Sequence, residues 1–238
     1  MLKGAIHSAD IALYYPIESI QAYFLPSTRS LDTGTQPLEA QHIQASLNDT
    51  ALGLLYKGWD FDFLDACAVL DAVVADGALK FPNGQYRAAI MPSMKVIPAG
   101  VLSKLQEFER QGGLLLWVGD LPDLGGSEGE DPIVLREMQK YKSNEKLDTL
   151  NEMLERDLET EKEPAEARVF IGHYVREGMN IYYLVNIEPI EISMTIRMHK
   201  VDSFRIYDPF DGKILDTAIP ANITISGYGG IFIVHDKN

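Results

Sequence analysis

"YRAAIMPSMKVIPAGVLSKLQEFERQGGLLLWVGD", residues 86–120, is the stretch on which the reading of the fold turns. Its first piece is apolar from Ala88 to Met91 and stops at Pro92, the pattern of a short strand buried on both faces. The next piece opens on Pro98, sets Val101, Leu102, Leu105 and Phe108 on one helical face, and ends at Gly112 and Gly113. Proline at the start of a helix and glycine just past its end are boundary signals with a steric cause. "LLLWVGD" is a second strand without a polar face. Two such strands joined by an amphipathic helix imply a parallel crossover, and therefore a sheet covered on both sides.

The same alternation extends upstream. "DIALYYP" (residues 10–16) is another apolar run closed by proline. Over residues 38–56, Leu38, Ile43, Leu47, Leu52 and Leu55 recur at intervals that fit a helix. "FDFLDACAVL" reads as a short strand running into a helix, with Asp65 as a candidate N-cap. In "VVADGALKF" an Asp-Gly pair sits between two apolar pieces, a strong hairpin signal. The fold expected for residues 1–163 is α/β, a flavodoxin-like doubly wound parallel sheet.

Downstream, residues 133–163 are highly charged with a sparse apolar stripe, Leu135, Met138, Tyr141, Leu147, Leu150 and Leu154. One or two surface helices are predicted there, leading to a boundary near Pro164. Beyond it the period changes to two, and five to seven short β-rich runs are punctuated by Glu-Gly, Glu-Pro, Asp-Pro, Asp-Gly and Gly-Gly. Residues 164–238 are thus expected to form a small antiparallel β-sandwich, small for a free-standing one and expected to dock on the first domain.

A net charge of −14 argues against nucleic acid and anionic membrane as partners, because the electrostatic term that dominates such binding would be repulsive. No apolar run approaches the length of a membrane span, and the N-terminal residues have no signal-peptide pattern. A soluble protein is expected. The single cysteine, Cys67, excludes an internal disulfide. The compartment stays open, and a periplasmic or secreted parent is compatible with the sequence.

Six features invite a chemical reading. Asp60, Asp62 and Asp65 have a spacing that a calcium loop could use, but Phe61, Phe63 and Leu64 stand between them and no turn glycine is present. A strand with one wet and one buried face explains the alternation, so no metal is expected. Cys67 lacks the glycine-flanked elbow of a nucleophile and reads as a small buried hydrophobe. The histidines have no zinc-like spacing, and "GGSEGE" (residues 125–130) is too acidic for phosphate and lacks the lysine of a P-loop. Glu18 and Asp120 fall beyond strand ends, where doubly wound folds place ligands. In the β-rich part, Tyr182, Tyr183, Tyr207 and Phe210, together with Trp59, are candidates for stacking on sugar rings.

"IALYYPIESIQAYF", "WDFDFLDACAVLDAVVADGALKFPNGQYRAAIMPSMKVIPAGVLSKLQEFERQGGLLLWVGDLP", "NIYYLVNIEPIEISMTIRM" and "YDPFDGKI", in this order, resemble the C-terminal, non-barrel region of bacterial glycoside hydrolases. The likeness is to family 106 α-L-rhamnosidases and to the amidotransferase-like domain of family 42 β-galactosidases. Gln21 departs from it, standing where an aromatic residue is usual. The resemblance implies a class I glutamine amidotransferase-like α/β domain, although no His-x-Glu pair of a true amidotransferase occurs. It also implies that the catalytic acids lie on a barrel elsewhere in a parent protein, since a barrel needs about 250 residues by itself. On that reading the chain has no catalytic residue and no cofactor, its partner is the barrel of the same parent, and it reaches carbohydrate indirectly. A homo-oligomer is compatible with it. Glu18, Gln21, Tyr23, Trp59, Asp60, Asp62 and Asp120 are the candidate ligand- or domain-facing residues, with "PIESIQAYF" (residues 16–24) the segment best placed to meet a neighbouring domain. A stand-alone enzyme on the amidotransferase-like fold and a carbohydrate-binding module are the alternatives.

Overall fold

The computed structural model describes residues 1–26, 35–126, 132–199 and 201–236. The loop readings at 27–34 and at 127–131, including most of "GGSEGE", lie outside them. Strands β1 (Ile6–His7) and β2 (Ile11–Tyr14) precede helices α1 (Ile17–Tyr23) and α2 (Leu38–Tyr56). Then come β3 (Phe61–Leu64), α3 (Ala66–Asp71), β4 (Val73–Ala75), β5 (Ala78–Phe81) and β6 (Gly84–Tyr86). The opening stretch gives β7 (Ala88–Met91), α4 (Ala99–Arg110) and β8 (Leu114–Trp117), followed by α5 (Pro132–Met138) and α6 (Leu150–Met153). The remaining strands are β9 (Leu158–Glu163), β10 (Val169–Arg176), β11 (Met179–Asn186), β12 (Ile192–Met198), β13 (Ser203–Tyr207), β14 (Ile214–Ala218), β15 (Ala221–Ile225) and β16 (Gly230–Asp236).

The chain is α/β, with one parallel sheet and several antiparallel ones. It divides into two compact units, Asp10–Gly53 with Phe61–Met153, and Met1–Ala9 with Leu54–Asp60 and Leu154–Asn238.

In the first unit the sheet order is β3-β2-β7-β8, all parallel. β2 and β7 are buried at every residue, as a strand with helices on both faces must be. The α4 face read from the sequence, Val101, Leu102, Leu105 and Phe108, is buried in a core with Ile97, Leu115 and Trp117. The Asp-Gly hairpin joins β4 to β5, with Asp76 at φ 54° and Gly77 at φ 70°, the left-handed pair that a two-residue hairpin turn needs. Asp65 caps α3 as expected, its carboxylate accepting the Ala68 N–H at 2.8 Å.

Cys67 corrects the sequence reading, for it is exposed and not buried. α3 buries Ala66 and Val69, three residues apart on one face, and this turns position 67 outward.

At the end of α5, Glu137 accepts hydrogen bonds from Lys140, from Gln106 at 2.9 Å and from Arg136. These donors hold its carboxyl down to about 2 from an ordinary 4.5. A depressed carboxylate adds stability that is complete above its unfolded pKa and vanishes as pH falls through the folded one. Wild-type protein is therefore expected to lose melting temperature between about pH 4.5 and pH 2, and Glu137→Gln to flatten that slope. Equal slopes in the two proteins would remove Glu137 from the acid response.

In the second unit a six-stranded antiparallel sheet, β1-β10-β11-β16-β13-β14, and a three-stranded one, β15-β12-β9, share a core of Leu184, Ile192, Ile196, Ile225 and Ile233. β9 is the second correction, because Leu158–Glu163 lies within the stretch read as surface helices. It pairs antiparallel with β12 from Leu158↔Met198 to Glu163↔Ser193, so the sheet begins ahead of the expected boundary near Pro164. Leu158, Thr160 and Lys162 turn inward while Glu159, Glu161 and Glu163 turn out. Lys162 and Arg156 cover the carbonyls at the C-terminus of α2. Arg156 Nη2 donates to Lys57 O at 2.9 Å and Lys162 Nζ to Tyr56 O at 3.5 Å, cations placed at the negative end of the helix.

Candidate functional site

A parallel α/β sheet offers its ligand site beyond the C-terminal ends of its strands. In this chain those ends are Tyr15, Pro16 and the first turn of α1 after β2, Asp65 after β3, the Pro92–Ile97 turn after β7, and Gly119 with Asp120 after β8. The β7 turn is where a nucleophile elbow would stand. Ser93 occupies it, and the turn is stitched shut by polar contacts.

Ser19 on α1 is fully buried, and its hydroxyl accepts the N–H groups of Lys95 at 3.0 Å and Val96 at 2.9 Å while donating to Val96 O at 3.1 Å. Ser93 N–H donates to Ser46 Oγ at 2.8 Å, and Met94 N–H to Asp120 O at 3.2 Å. Asp120 N–H in turn donates to Ser93 Oγ at 3.0 Å. The four successive amides from Ser93 to Val96 are thus all consumed by the fold, and an oxyanion needs preorganised amides aimed at it. Gly119 closes the crevice from the other side. A Cβ there would sit 2.0 Å from Ser93 N. His42 on α2 meets Asp120 at 2.8 Å, but this pair is well exposed, where an ion pair contributes little.

The sequence-predicted residues fall in different places. Glu18, Gln21 and Tyr23 lie on α1, with Gln21 exposed. Glu18 accepts the Tyr14 hydroxyl at 3.3 Å, and burial, with the charge of Glu18 adding to it, pushes the Tyr14 phenol far above its ordinary range. Asp62 on β3 accepts the Tyr86 hydroxyl at 2.9 Å, and burial followed by that bond raises Tyr86 likewise. Asp60 belongs to the antiparallel unit, where its Oδ2 meets His7 Nε2 at 2.6 Å and accepts the His173 N–H at 2.9 Å. Trp59 is 5% exposed under the guanidinium of Arg156, 3.7 Å above its ring. Burial lowers that guanidinium to about 10. The four carboxylates are engaged separately, Glu18 with Tyr14, Asp60 with His7, Asp62 with Tyr86 and Asp120 with His42.

Among the aromatic candidates, Tyr182 is buried beneath His173, ring centroids 4.3 Å apart, and Tyr183 stacks on Phe232. Phe210 is exposed on the β13–β14 turn. An open groove of about 610 Å³ on the outer face of β15-β12-β9 is lined by Glu161, Glu163, Thr195, Asn222 and Thr224. Ala165, Met194 and Ile223 add apolar surface between these polar side chains. The sequence reading missed Ser19 and Ser93, because a serine inside a helix or turn carries no local sign of the partner that will claim its hydroxyl.

No family model matches the chain, and no curated protein matches it by sequence. Solved structures do. The structure of a rhamnosidase from Novosphingobium sp. PP1Y matches 97% of this chain at 15% identity and a TM-score of 0.62, using 23% of its own length. A β-galactosidase from Bacillus circulans sp. alkalophilus matches 97% at 13% identity and a TM-score of 0.56. The chain's fold is similar to that of part of each of these two glycoside hydrolases. A β-galactosidase from Rahnella sp. R3 matches 98% at 14% identity and a TM-score of 0.57, and in each galactosidase the matched part is 42% of the neighbour. At such identities the likeness concerns the fold, and it spans less than half of each of these proteins.

Proposed function

We infer that the chain is a non-catalytic accessory region of a multidomain glycoside hydrolase, shaping the substrate cleft or mediating assembly beside a catalytic barrel carried elsewhere in the parent. The supporting observation is the mismatch of coverage: nearly all of this chain aligns, against 23% of the rhamnosidase and 42% of each galactosidase. The strand order β3-β2-β7-β8 supports a flavodoxin-like reading of the parallel unit. Its strand-end crevice is occupied by the protein's own turn. Glycoside hydrolysis needs two carboxyl groups about 5–10 Å apart across the scissile bond. The separate pairing of Glu18, Asp60, Asp62 and Asp120 favours placing that pair outside this region. The best domain-facing candidate is α1, where Gln21 is exposed together with Phe24 and Leu25 just beyond it.

The test compares the parent reading frame with the same frame lacking these residues. Full-length protein is expected to hydrolyse an aryl α-L-rhamnoside or β-galactoside. The deletion is expected to lower kcat/KM or to dissociate the assembly. A deletion that leaves kcat/KM and the number of subunits in the assembly unchanged would overturn the reading.

A further inference from the structure

The turn between β15 and β16, "SGYGG" at residues 226–230, breaks a local rule. Tyr228 has φ 55°, a left-handed conformation that glycine or asparagine adopts cheaply and a bulky side chain does not. Glycine stands at 227 and 230 for a different reason, lack of space. A Cβ at Gly227 would meet Pro189 O at 2.3 Å, and one at Gly230 would meet the Tyr183 ring at 3.0 Å. Packing does not repay Tyr228 for its backbone, since the residue is 70% exposed.

The base beneath it is rigid. Tyr228 N–H donates to Glu188 O at 2.9 Å, and the fully buried Asn186 donates its amide to Ile190 O, Ile225 O and Ser226 O at 2.7 to 3.1 Å. An unfavourable conformation held by an over-determined support, with its side chain in solvent, is the mark of a residue kept for contact with something else.

We propose that Tyr228 is the stacking platform of a binding site for a neutral pyranose. A sugar ring presents an apolar C–H face that packs on an aromatic ring and a hydroxyl edge that needs both donors and acceptors. Glu188, on the loop that holds Tyr228, pairs with Arg168 just ahead of β10, Nε–Oε1 2.5 Å and Nη2–Oε2 3.1 Å, and what the pair offers a sugar is the second lone pair of each carboxylate oxygen and the remaining guanidinium N–H groups. Their charges offset each other, which suits hydroxyls better than a charged ligand, and a chain of net charge −14 disfavours an acidic glycan. Ile190, 53% exposed on the same loop, adds apolar surface. The choice of a saccharide rests on the accessory-region reading given above.

Ligand-observed NMR of the whole chain with methyl α-L-rhamnopyranoside and methyl β-D-galactopyranoside tests the proposal, alongside thermal melts. Saturable binding of at least one glycoside is expected, kept within about threefold in Tyr228→Phe and weakened about tenfold or more in Tyr228→Gly. Tyr228→Gly is also expected to melt about 2 °C or more above wild type, because it relieves the strained backbone. Absence of saturable binding to both glycosides, or wild-type affinity in Tyr228→Gly, would overturn the site. So would a lower melting temperature in that variant, which would make Tyr228 a structural residue. None of these failures bears on the parent's activity, from which the accessory role is judged.

Discussion

Gly119→Ala is expected to destabilise the parallel unit by about 3 kcal/mol or more, the upper end of what forced overpacking costs. The new methyl group would lie 2.0 Å from Ser93 N and 2.5 Å from Ser93 Cα, and both are main-chain atoms with no rotamer to yield. Ser93 cannot retreat cheaply either. Its N–H is held by Ser46, and the next residue, Met94, is held by Asp120 O. Relief would have to come from parting the ends of β7 and β8, which pair from Ala88↔Leu114 to Met91↔Trp117. Against a total stability of about 5–15 kcal/mol for an ordinary domain, such a loss moves a urea midpoint unmistakably. A variant with the wild-type midpoint would mean that the crevice is looser than its geometry, and a ligand could then enter where the turn now sits.

Asn186→Leu is expected to cost about 3 kcal/mol, through unmet polar groups and not through lost volume. The Asn186 amide serves three carbonyls of two loops, and its Oδ1 accepts the Glu188 N–H at 2.8 Å. Leucine fills much of the same space and satisfies none of them. Asn186→Asp separates shape from hydrogen bonding. It keeps the outline and the acceptor, but a carboxylate aimed at three carbonyl oxygens repels where the amide donates, so it is expected to destabilise at least as much as leucine. Melting temperatures decide the ranking, and faster hydrogen exchange at Glu188 and Tyr228 would locate the loss in the two loops.

The parallel unit was legible because its strands and helices obey simple periods. α4 announces itself through Pro98, four apolar residues on one face and Gly112, and the β4–β5 turn through Asp76 and Gly77; each is a short-range rule with a steric cause. β9 escaped because its alternation is carried by Leu158, Thr160 and Lys162 against three glutamates. Glutamate and lysine favour helices by propensity, and only the pairing of this segment with β12 makes the alternation decisive. Cys67 was misplaced for a related reason. Cysteine is often buried, but the phase of a two-turn helix is set by which of its neighbours reach the core, and Ala66 and Val69 reach it first.

The candidate site was harder to read than the fold. Composition drew attention to the acids at 60, 62 and 65, yet Asp60 meets His7 and His173 while Asp62 meets Tyr86. Those partners lie 24 to 113 residues away in sequence, beyond the reach of any local pattern. Tyr228 had a visible signal. An aromatic residue set among glycines in a turn is unusual in itself, and its positive φ is what gives the pattern meaning.

The most direct measurement is turnover by the isolated chain, purified to homogeneity, against aryl α-L-rhamnoside and aryl β-galactoside. No rate above the uncatalysed blank is expected, because the strand-end amides are already engaged and each candidate carboxylate is tied to its own partner. A rate that co-purifies with the chain and falls on replacing Asp120 or Glu18 would contradict the accessory role and place an active site within these residues.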